Sequence, residues 1–267
     1  MKIIVLNSKG GVGKSTTAIQ VLVPYLYSKN EQSQQIKVIE FDDENEDSKS
    51  FSLSKILDAK NIKVSTSDID ASLIDSILED ENIVLDIGGN KTTTYVLDSL
   101  IDNGMINSFD LIVIPLTDGE QDSINAIKVY DKIRENNKTS KIIFALNRVN
   151  TAYELEIQFL DFFGDTEKKR LDGRVGLIEK IKEPDRNIIK IVDSPVIRFS
   201  RIFGTTAYEL SFKDMSKVRE KIAEATVNKN TEEVRKQSYR LGILNKSKRY
   251  RNEVLEECFK AIDEACK

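Results

Sequence analysis

Glycines, a lysine and two hydroxyl residues crowd into one short stretch, Lys9-Gly-Gly-Val-Gly-Lys-Ser-Thr16. Gly10, Gly11 and Gly13 carry no Cβ, so the backbone there can bend tightly and aim its N–H groups inward at an anion. Lys14 has the charge to neutralise β- and γ-phosphates. Ser15 has the hydroxyl to hold a Mg2+ ion that bridges them. The spacing is that of G-x-x-x-x-G-K-[ST], except that Ser8 stands at the first glycine position and a second lysine, Lys9, sits beside it. Lys9 has no evident task for phosphates bound by its own chain.

Phosphate chemistry of this kind also needs carboxylates, to hold metal-bound water and to orient an attacking water. Two candidates stand at the ends of apolar runs. Asp42 directly follows Ile36–Phe41, within an acidic cluster that also contains Glu40, Asp43, Glu44, Glu46 and Asp47. Asp86 ends Ile83-Val-Leu-Asp86 and is followed by Gly88-Gly89, whose N–H groups can face a γ-phosphate. Asp42 is placed to orient water and to approach the metal, and Asp86 to hold a Mg2+-bound water.

The elements that must position these groups follow from hydrophobic period. Lys2–Asn7, Ile36–Phe41, Ile83–Asp86, Leu111–Leu116, Lys141–Leu146 and Ile188–Val192 read as buried strands, and Ile62–Ser65 as a short one. Helical spacing covers Thr17–Lys29, Ser50–Leu57, Asp70–Leu78 (capped by Asp68 or Asp70), Val96–Ile101, Gln121–Arg134 and Leu155–Phe163. Pro195 marks a sharp turn after the last strand. From Ser211 onward only helices are expected, broken near Asn228–Asn230 and Gly242–Lys246. The expected fold is α/β: a mostly parallel, doubly wound phosphate-loop sheet with helices on both faces and a helical C-terminal tail. In such sheets ligands bind at the carboxyl ends of the strands, where the loop, Asp42 and Asp86 all fall. We expect one domain over 1–267, with a nucleotide-binding core at 1–210 and a helical extension at 211–267.

Composition narrows the chemistry. The chain has no histidine, so histidine catalysis and histidine metal sites are excluded, and it has no CxxC motif. Its two cysteines, Cys258 and Cys266, would lie ~12 Å apart on a helix, too far for a bridge, and read as reduced thiols of a cytoplasmic protein. No apolar run approaches the ~20 residues that span a bilayer, and nothing at the N-terminus reads as a signal peptide. The net charge of −4 hides an asymmetry: residues 213–251 hold 12 basic and 5 acidic residues.

The string Asn7-Ser-Lys-Gly-Gly-Val-Gly-Lys-Ser-Thr16 resembles the deviant Walker A motif of the ParA/MinD ATPases, which include partition proteins and division-site regulators. Glu40-Phe-Asp42 is similar to that family's first switch motif, and Val84-Leu-Asp86-Ile-Gly88-Gly89 to its Walker B strand and second switch. The resemblance covers about residues 1–210 and is sharp only at these motifs. It implies that Lys9 reaches across a homodimer bridged by ATP to the partner's phosphates, and that Lys14, Ser15 and Thr16, with Gly10, Gly11, Val12 and Gly13, hold the nucleotide with Mg2+. It implies further that Asp42 positions water, that Asn147 meets the adenine edge and that Pro195 lines the adenine pocket. The chain departs from the family at Glu40, where an aspartate is usual, and at Asp43, Glu44 and the Ile-Gly-Gly after Asp86. Asn147-Arg-Val-Asn150 lacks the aspartate with which a GTPase grips guanine, so ATP is the expected nucleotide.

Two outputs suit such a switch. The basic stretch, doubled by dimerisation, would bind DNA without reading sequence, because affinity rises steeply with the number of phosphates met. A ParB-like adaptor and nucleoid association when ATP-bound go with that expectation. Alternatively the chain is a MinD-like or conjugation-associated positioning ATPase whose output is a protein or membrane contact. Val254, Leu255, Cys258, Phe259, Ile262, Ala265 and Cys266 form an apolar stripe, but the same helix carries Glu253, Glu256, Glu257, Asp263 and Glu264, which anionic lipid would repel. Packing on the body or on another subunit is therefore expected, and a membrane role is not. A metabolic enzyme of the same fold would need a substrate motif that is not visible.

Overall fold

The computed structural model describes residues 1–30, 32–43, 46–64, 69–79, 81–165, 173 and 175–267. Seven parallel strands form one sheet in the order β3-β2-β4-β1-β5-β6-β7. They are β1 Lys2–Val5, β2 Ile36–Phe41, β3 Leu57–Ile62, β4 Ile83–Ile87, β5 Leu111–Leu116, β6 Lys141–Val149 and β7 Asn187–Val192. β1 lies in the middle, between β4 and β5, because its residues are apolar on both faces and suit a strand covered from both sides.

Successive residues serve opposite layers. Ile3, Val5, Val38, Val84 and Val113 face the layer built from α1 (Lys14–Thr17), α2 (Val23–Lys29) and α12 (Glu256–Ala265). Ile4, Leu6, Ile39, Leu85 and Ile112 face α3 (Ile69–Glu79), α4 (Lys91–Asp102), α5 (Glu120–Asn136) and the short helices α6 (Leu155–Gln158) and α7 (Leu160–Phe163). The alternation puts Glu40 and Asp86 on the first of these faces, under the helix that follows the glycine loop.

That helix is not uniform. Ala18–Leu22 is a π-helical stretch between α1 and α2, and the Val23 N–H donates to the Ala18 carbonyl. Pro24 is the reason. It has no N–H for the carbonyl of Gln20, and its ring would crowd that carbonyl in an α-helix, so the preceding turn widens. Gln20, wholly buried, turns this to use: its Nε2 donates to Ser200 Oγ at 2.8 Å and its Oε1 accepts from the Ala207 N–H at 2.8 Å. The glycine-loop helix is thereby fixed to α8 (Pro195–Ile202) and α9 (Ala207–Ser211).

Several expectations need correction. Ser50–Leu57 is not a helix: Asp47–Phe51 forms a 3-10 turn and Leu57 already begins β3. β3 is an edge strand paired only with β2, and its Asp58, Lys60 and Asn61 blur the hydrophobic signal. The strand expected at 62–65 therefore ends where it was thought to start, and Ser65 and Asp68 lie outside the described residues. Leu155–Phe163 breaks at Phe159, whose φ of −103° and ψ of 43° leave the helical region. Pro195 is the first residue of α8, with Ser194 as its N-cap.

The tail is helical, as expected: α10 Ser216–Val227 and α11 Thr231–Tyr250 form a hairpin, and a second π-helical stretch, Arg251–Leu255, leads into α12. The break expected at Gly242–Lys246 is absent. Ile243, Leu244 and Ser247 are buried there, and that packing offsets the ~1 kcal/mol that an interior glycine costs a helix. The apolar stripe that runs from the π-helical stretch into α12 is covered by the body: Leu255, Cys258, Phe259 and Ile262 join Val21, Tyr25 and Ile189 in one core. Both cysteines are free thiols, and burial pushes that of Cys258 up to about 12. Among the described residues no helix is long and apolar enough to cross a membrane.

Candidate nucleotide site

The glycine loop is held at both ends by buried polar side chains. At its start, Asn7 Nδ2 donates to the Pro115 carbonyl at 2.6 Å, and Asn7 Oδ1 accepts from the Lys9 N–H at 2.9 Å. From the segment after β4, Thr93 Oγ1 in the first turn of α4 donates to the Asn7 carbonyl at 3.0 Å, and the N–H of Asn90, just before that helix, donates to the Ser8 carbonyl at 2.7 Å. At its end Gly13 adopts φ +89°, a left-handed conformation, and a Cβ there would lie 2.7 Å from Asn147 Cγ. Thr17 Oγ1 donates to the Gly13 carbonyl at 2.8 Å, and Asn147 Nδ2 donates in turn to Thr17 Oγ1 at 3.1 Å. Asn147 is thus a buried prop beneath the loop, inside β6 rather than after it.

Lys14 is buried, and its Nζ donates to the Lys9 carbonyl at 3.0 Å, so its ammonium curls back under the loop. Burial lowers its pKa, against the pull of Asp86 and Asp42. The Lys9 side chain is exposed. Val12 turns its side chain into the core and offers the site only its backbone.

Glu40 and Asp86 are direct neighbours across β2 and β4. Asp86 is 4% exposed, and burial above all pushes its carboxyl up to about 7; a hydrogen bond with Ser15 and the charge of Lys14 act the other way, and Glu40 adds to the rise. Glu40 is also raised by burial, but it accepts from the Ser48 N–H at 2.9 Å and from the Ser48 hydroxyl. The extra methylene that distinguishes it from aspartate lets it tie down the Asp47–Phe51 turn. Asp42 comes next to Gly88: the Gly88 N–H donates to the Phe41 carbonyl at 2.8 Å, and a Cβ on Gly88 would lie 2.9 Å from both that carbonyl and Asp42 Cγ. Only glycine permits this approach of the two loops. Glu44, two residues past Asp42, lies outside the described residues.

These groups line one cavity of about 650 Å³, into which Gly10, Gly11, Gly13, Lys14, Ser15, Thr16, Glu40, Asp42, Asp86 and Gly88 all open. Two arginines missed in the sequence join them. Arg148, at φ +57° on a bulge between β6 and β7, and Arg201, from α8, both line it. Arg201 Nη2 donates to Thr16 Oγ1 at 3.4 Å, its Nη1 is 3.7 Å from Asp47 Oδ1, and its buried Nε has no partner among the described residues. The Asn147-Arg148 pair was a visible signal for the first, but nothing local to α8 marks the second. A smaller cavity of about 260 Å³ adjoins at Gly13, Thr16, Arg148 and Arg201 and is closed by Asn147, Ser194 and Ile197. Pro195 is exposed and starts the helix beside it rather than lining it.

The donor set fits a hard divalent cation. Ser15, Asp42 and Asp86 present oxygen, the ligand Mg2+ prefers. Among the described residues no three His, Cys, Asp or Glu side chains form a group that would hold a metal unaided, so a cation here would need phosphate oxygens and water as further ligands. Carboxylates also outnumber the cationic residues lining the cavity, so a polyphosphate is best accepted together with a metal ion.

A parallel sheet with a propped glycine loop after its central strand, a lysine under the loop and two strand-end carboxylates opposite defines a P-loop nucleotide-binding protein. Residues 1–133 match the family model of ATPase MipZ, and the chain belongs to the ParA/MinD-like P-loop ATPases. No curated protein matches at the level of sequence. Similar solved structures include a plasmid partition protein of Borrelia burgdorferi (18% identity over 72% of this chain and 89% of that one, TM-score 0.40). Others are MinD of Aquifex aeolicus (13%, 78% and 89%, TM-score 0.45) and an ATP complex of a McdA variant of Cyanothece (12%, 78% and 89%, TM-score 0.46). At these values the likenesses carry no residue roles to this chain.

Proposed function

We propose that the chain is a nucleotide-driven switch: Mg-ATP joins two copies across their phosphate cavities, the dimer binds DNA without reading sequence, and hydrolysis resets it. The observation that carries this reading is the division of labour between two lysines five residues apart in the same loop. Lys14 is buried and turned back to the loop, whereas Lys9 leaves the loop with an exposed side chain. A cation so placed suits the phosphates of a second subunit. In this reading Lys14, Ser15 and the loop N–H groups bind the phosphates, Ser15 and Asp86 hold the metal and its water, and Asp42 orients the attacking water. Arg148 and Arg201 add positive charge where the two cavities meet. Asn147 acts through the loop it props, and the adenine edge is left to the backbone and to Ile197.

The DNA surface would be the α10–α11 hairpin, where Arg219, Arg235, Lys236, Lys246, Lys248 and Arg249 are exposed. Residues 211–267 then work as part of the same domain as the core, since α12 completes its packing. The test is light scattering and duplex retention in low salt with Mg-ATP. Wild type should dimerise and bind arbitrary duplexes, with salt weakening the binding, whereas Lys9→Ala should stay monomeric. Asp42→Ala should dimerise and persist, because it fails to hydrolyse. Equal DNA affinity with and without Mg-ATP would overturn the DNA output and favour a positioning ATPase that acts through protein contacts.

A further inference from the structure

A separate cavity of about 440 Å³ lies where the α10–α11 hairpin meets the α8–α9 connection and the segment after the Asp47–Phe51 turn. Its apolar wall includes Leu53, Phe203, Leu210, Val218 and Leu244. Leu53 is 69% exposed, an unusual state for a leucine that has an apolar wall beside it. Lys213, Lys217, Lys221 and Arg240 also line the cleft. Its one acidic residue, Asp214, is engaged locally by the Ser216 N–H at 2.8 Å and the Ser216 hydroxyl at 2.7 Å.

Two buried polar groups in the same cavity lack partners. Gln237 is 4% exposed and Thr205 5%, and neither Gln237 Oε1 nor Thr205 Oγ1 has a hydrogen bond among the described residues. Gln237 Nε2 is already committed to Glu233 Oε1 at 2.7 Å, which leaves the amide oxygen as the unmet end. Folded proteins leave few such groups unpaired, and each one here asks for a complement from outside.

The requirements together select an occupant. Gln237 Oε1 needs an N–H or O–H donor, the wall needs an aliphatic or aromatic group, and the cations need negative charge. A fatty-acid anion has no donor. A nucleic-acid backbone has no apolar group. A peptide has backbone N–H groups, apolar side chains and carboxylates in one chain. We propose that this cleft binds an acidic peptide segment of a partner protein. An apolar side chain seats against Leu210, Val218 and Leu244, a backbone N–H meets Gln237 Oε1, and carboxylates face Lys213, Lys217, Lys221 and Arg240. This gives the partner of the switch a chemistry, and it is tested apart from ATP-driven dimerisation.

The experiment pans a random dodecapeptide phage library on the immobilised full chain without nucleotide. The enriched peptides are then labelled and their binding followed by fluorescence anisotropy. Enriched sequences should carry net negative charge and at least one leucine, isoleucine or phenylalanine. Their affinity should fall tenfold or more for Lys217→Glu and for Gln237→Leu. Gln237→Leu removes the unmet acceptor without opening a hole, so its thermal melt should not fall, and lost binding then reports the site. Three results would each overturn the assignment: no enrichment over a Lys217→Glu control, enriched peptides without acidic residues, or peptide binding unchanged in both variants. Displacement of bound peptide by duplex DNA while Gln237→Leu binds normally would likewise overturn it, in favour of a nucleic-acid surface.

Discussion

Replacing Asp86 with asparagine should make the nucleotide-free protein more stable, and by an amount that depends on pH in an unusual direction. Burial pushes the Asp86 carboxyl from 3.8 up to about 7. An acid whose folded pKa is raised keeps a proton that the unfolded chain has already released. Stability from this group therefore falls as pH rises from about 4 to 7, and the full cost is present above that window, the reverse of an ion-paired aspartate. At 1.36 kcal/mol per pKa unit the cost is about 4 kcal/mol at pH 8. This is already net of the attraction to Lys14, because that attraction acts on the same pKa. At pH 5 linkage leaves under ~2 kcal/mol. Asparagine keeps the shape and still accepts from Ser15, so Asp86→Asn should recover these amounts. With an unfolding entropy of about 2.1 cal/mol/K per residue, the gain corresponds to ~7 °C in Tm at pH 8 and ~3 °C at pH 5. The assay is calorimetry in EDTA at the two pH values, followed by Mg-ATP at pH 8. Mg-ATP should raise the melting of wild type well beyond ATP alone and do little more than ATP alone for the variant. A variant that melts at or below wild type at pH 8, or by the same margin at both pH values, would refute the argument that Asp86 is a strained, buried charge awaiting a cation.

Other outcomes follow from the packing. Gly88→Ala should cut hydrolysis at least tenfold while leaving ATP binding within a few-fold, because its Cβ would press on Asp42 and the Phe41 carbonyl rather than on the glycine loop; steady-state hydrolysis and nucleotide titration separate the two. Arg134→Ala should cost about 3–5 kcal/mol in denaturant unfolding. It strands Asp185, whose carboxyl burial alone would raise, but which Arg134 at 2.6 and 2.7 Å and Tyr130 at 2.9 Å hold below the usual range. Gly242→Ala should stabilise by about 0.5–1 kcal/mol, since the residue is helical and a Cβ there meets nothing within 4 Å; a loss would mean that α11 is broken after all.

Much of the architecture could be read from the chain because the central strands are apolar on both faces and end in residues that have no business in a core. Asp42 and Asp86 were legible for that reason, as carboxylates at the mouths of buried runs. β3 was not, since an edge strand need satisfy only one neighbour and can carry Asp58 and Lys60. The π-helical stretch was encoded in Pro24, but its effect falls on the turn before it. Arg201 was invisible because its meaning depends on Gln20, which brings α8 against the glycine-loop helix from far along the chain. Asn147 illustrates the opposite difficulty: its position near the site could be read, while its hydrogen bond to Thr17, beneath the loop, depends on how β6 runs past Gly13.

The last helix fills the same layer as the first. Tyr25 meets Phe259 edge-on at 5.7 Å and donates to Asp263 Oδ1 at 2.9 Å. During synthesis at about 5–20 residues per second, Tyr25 waits roughly 10–50 s for these partners to be made. In the last part of that interval, once Asn147 has been made, the nascent chain holds the props of the glycine loop but not the wall behind it. A message cut short before α12 would thus yield a product with an exposed apolar layer.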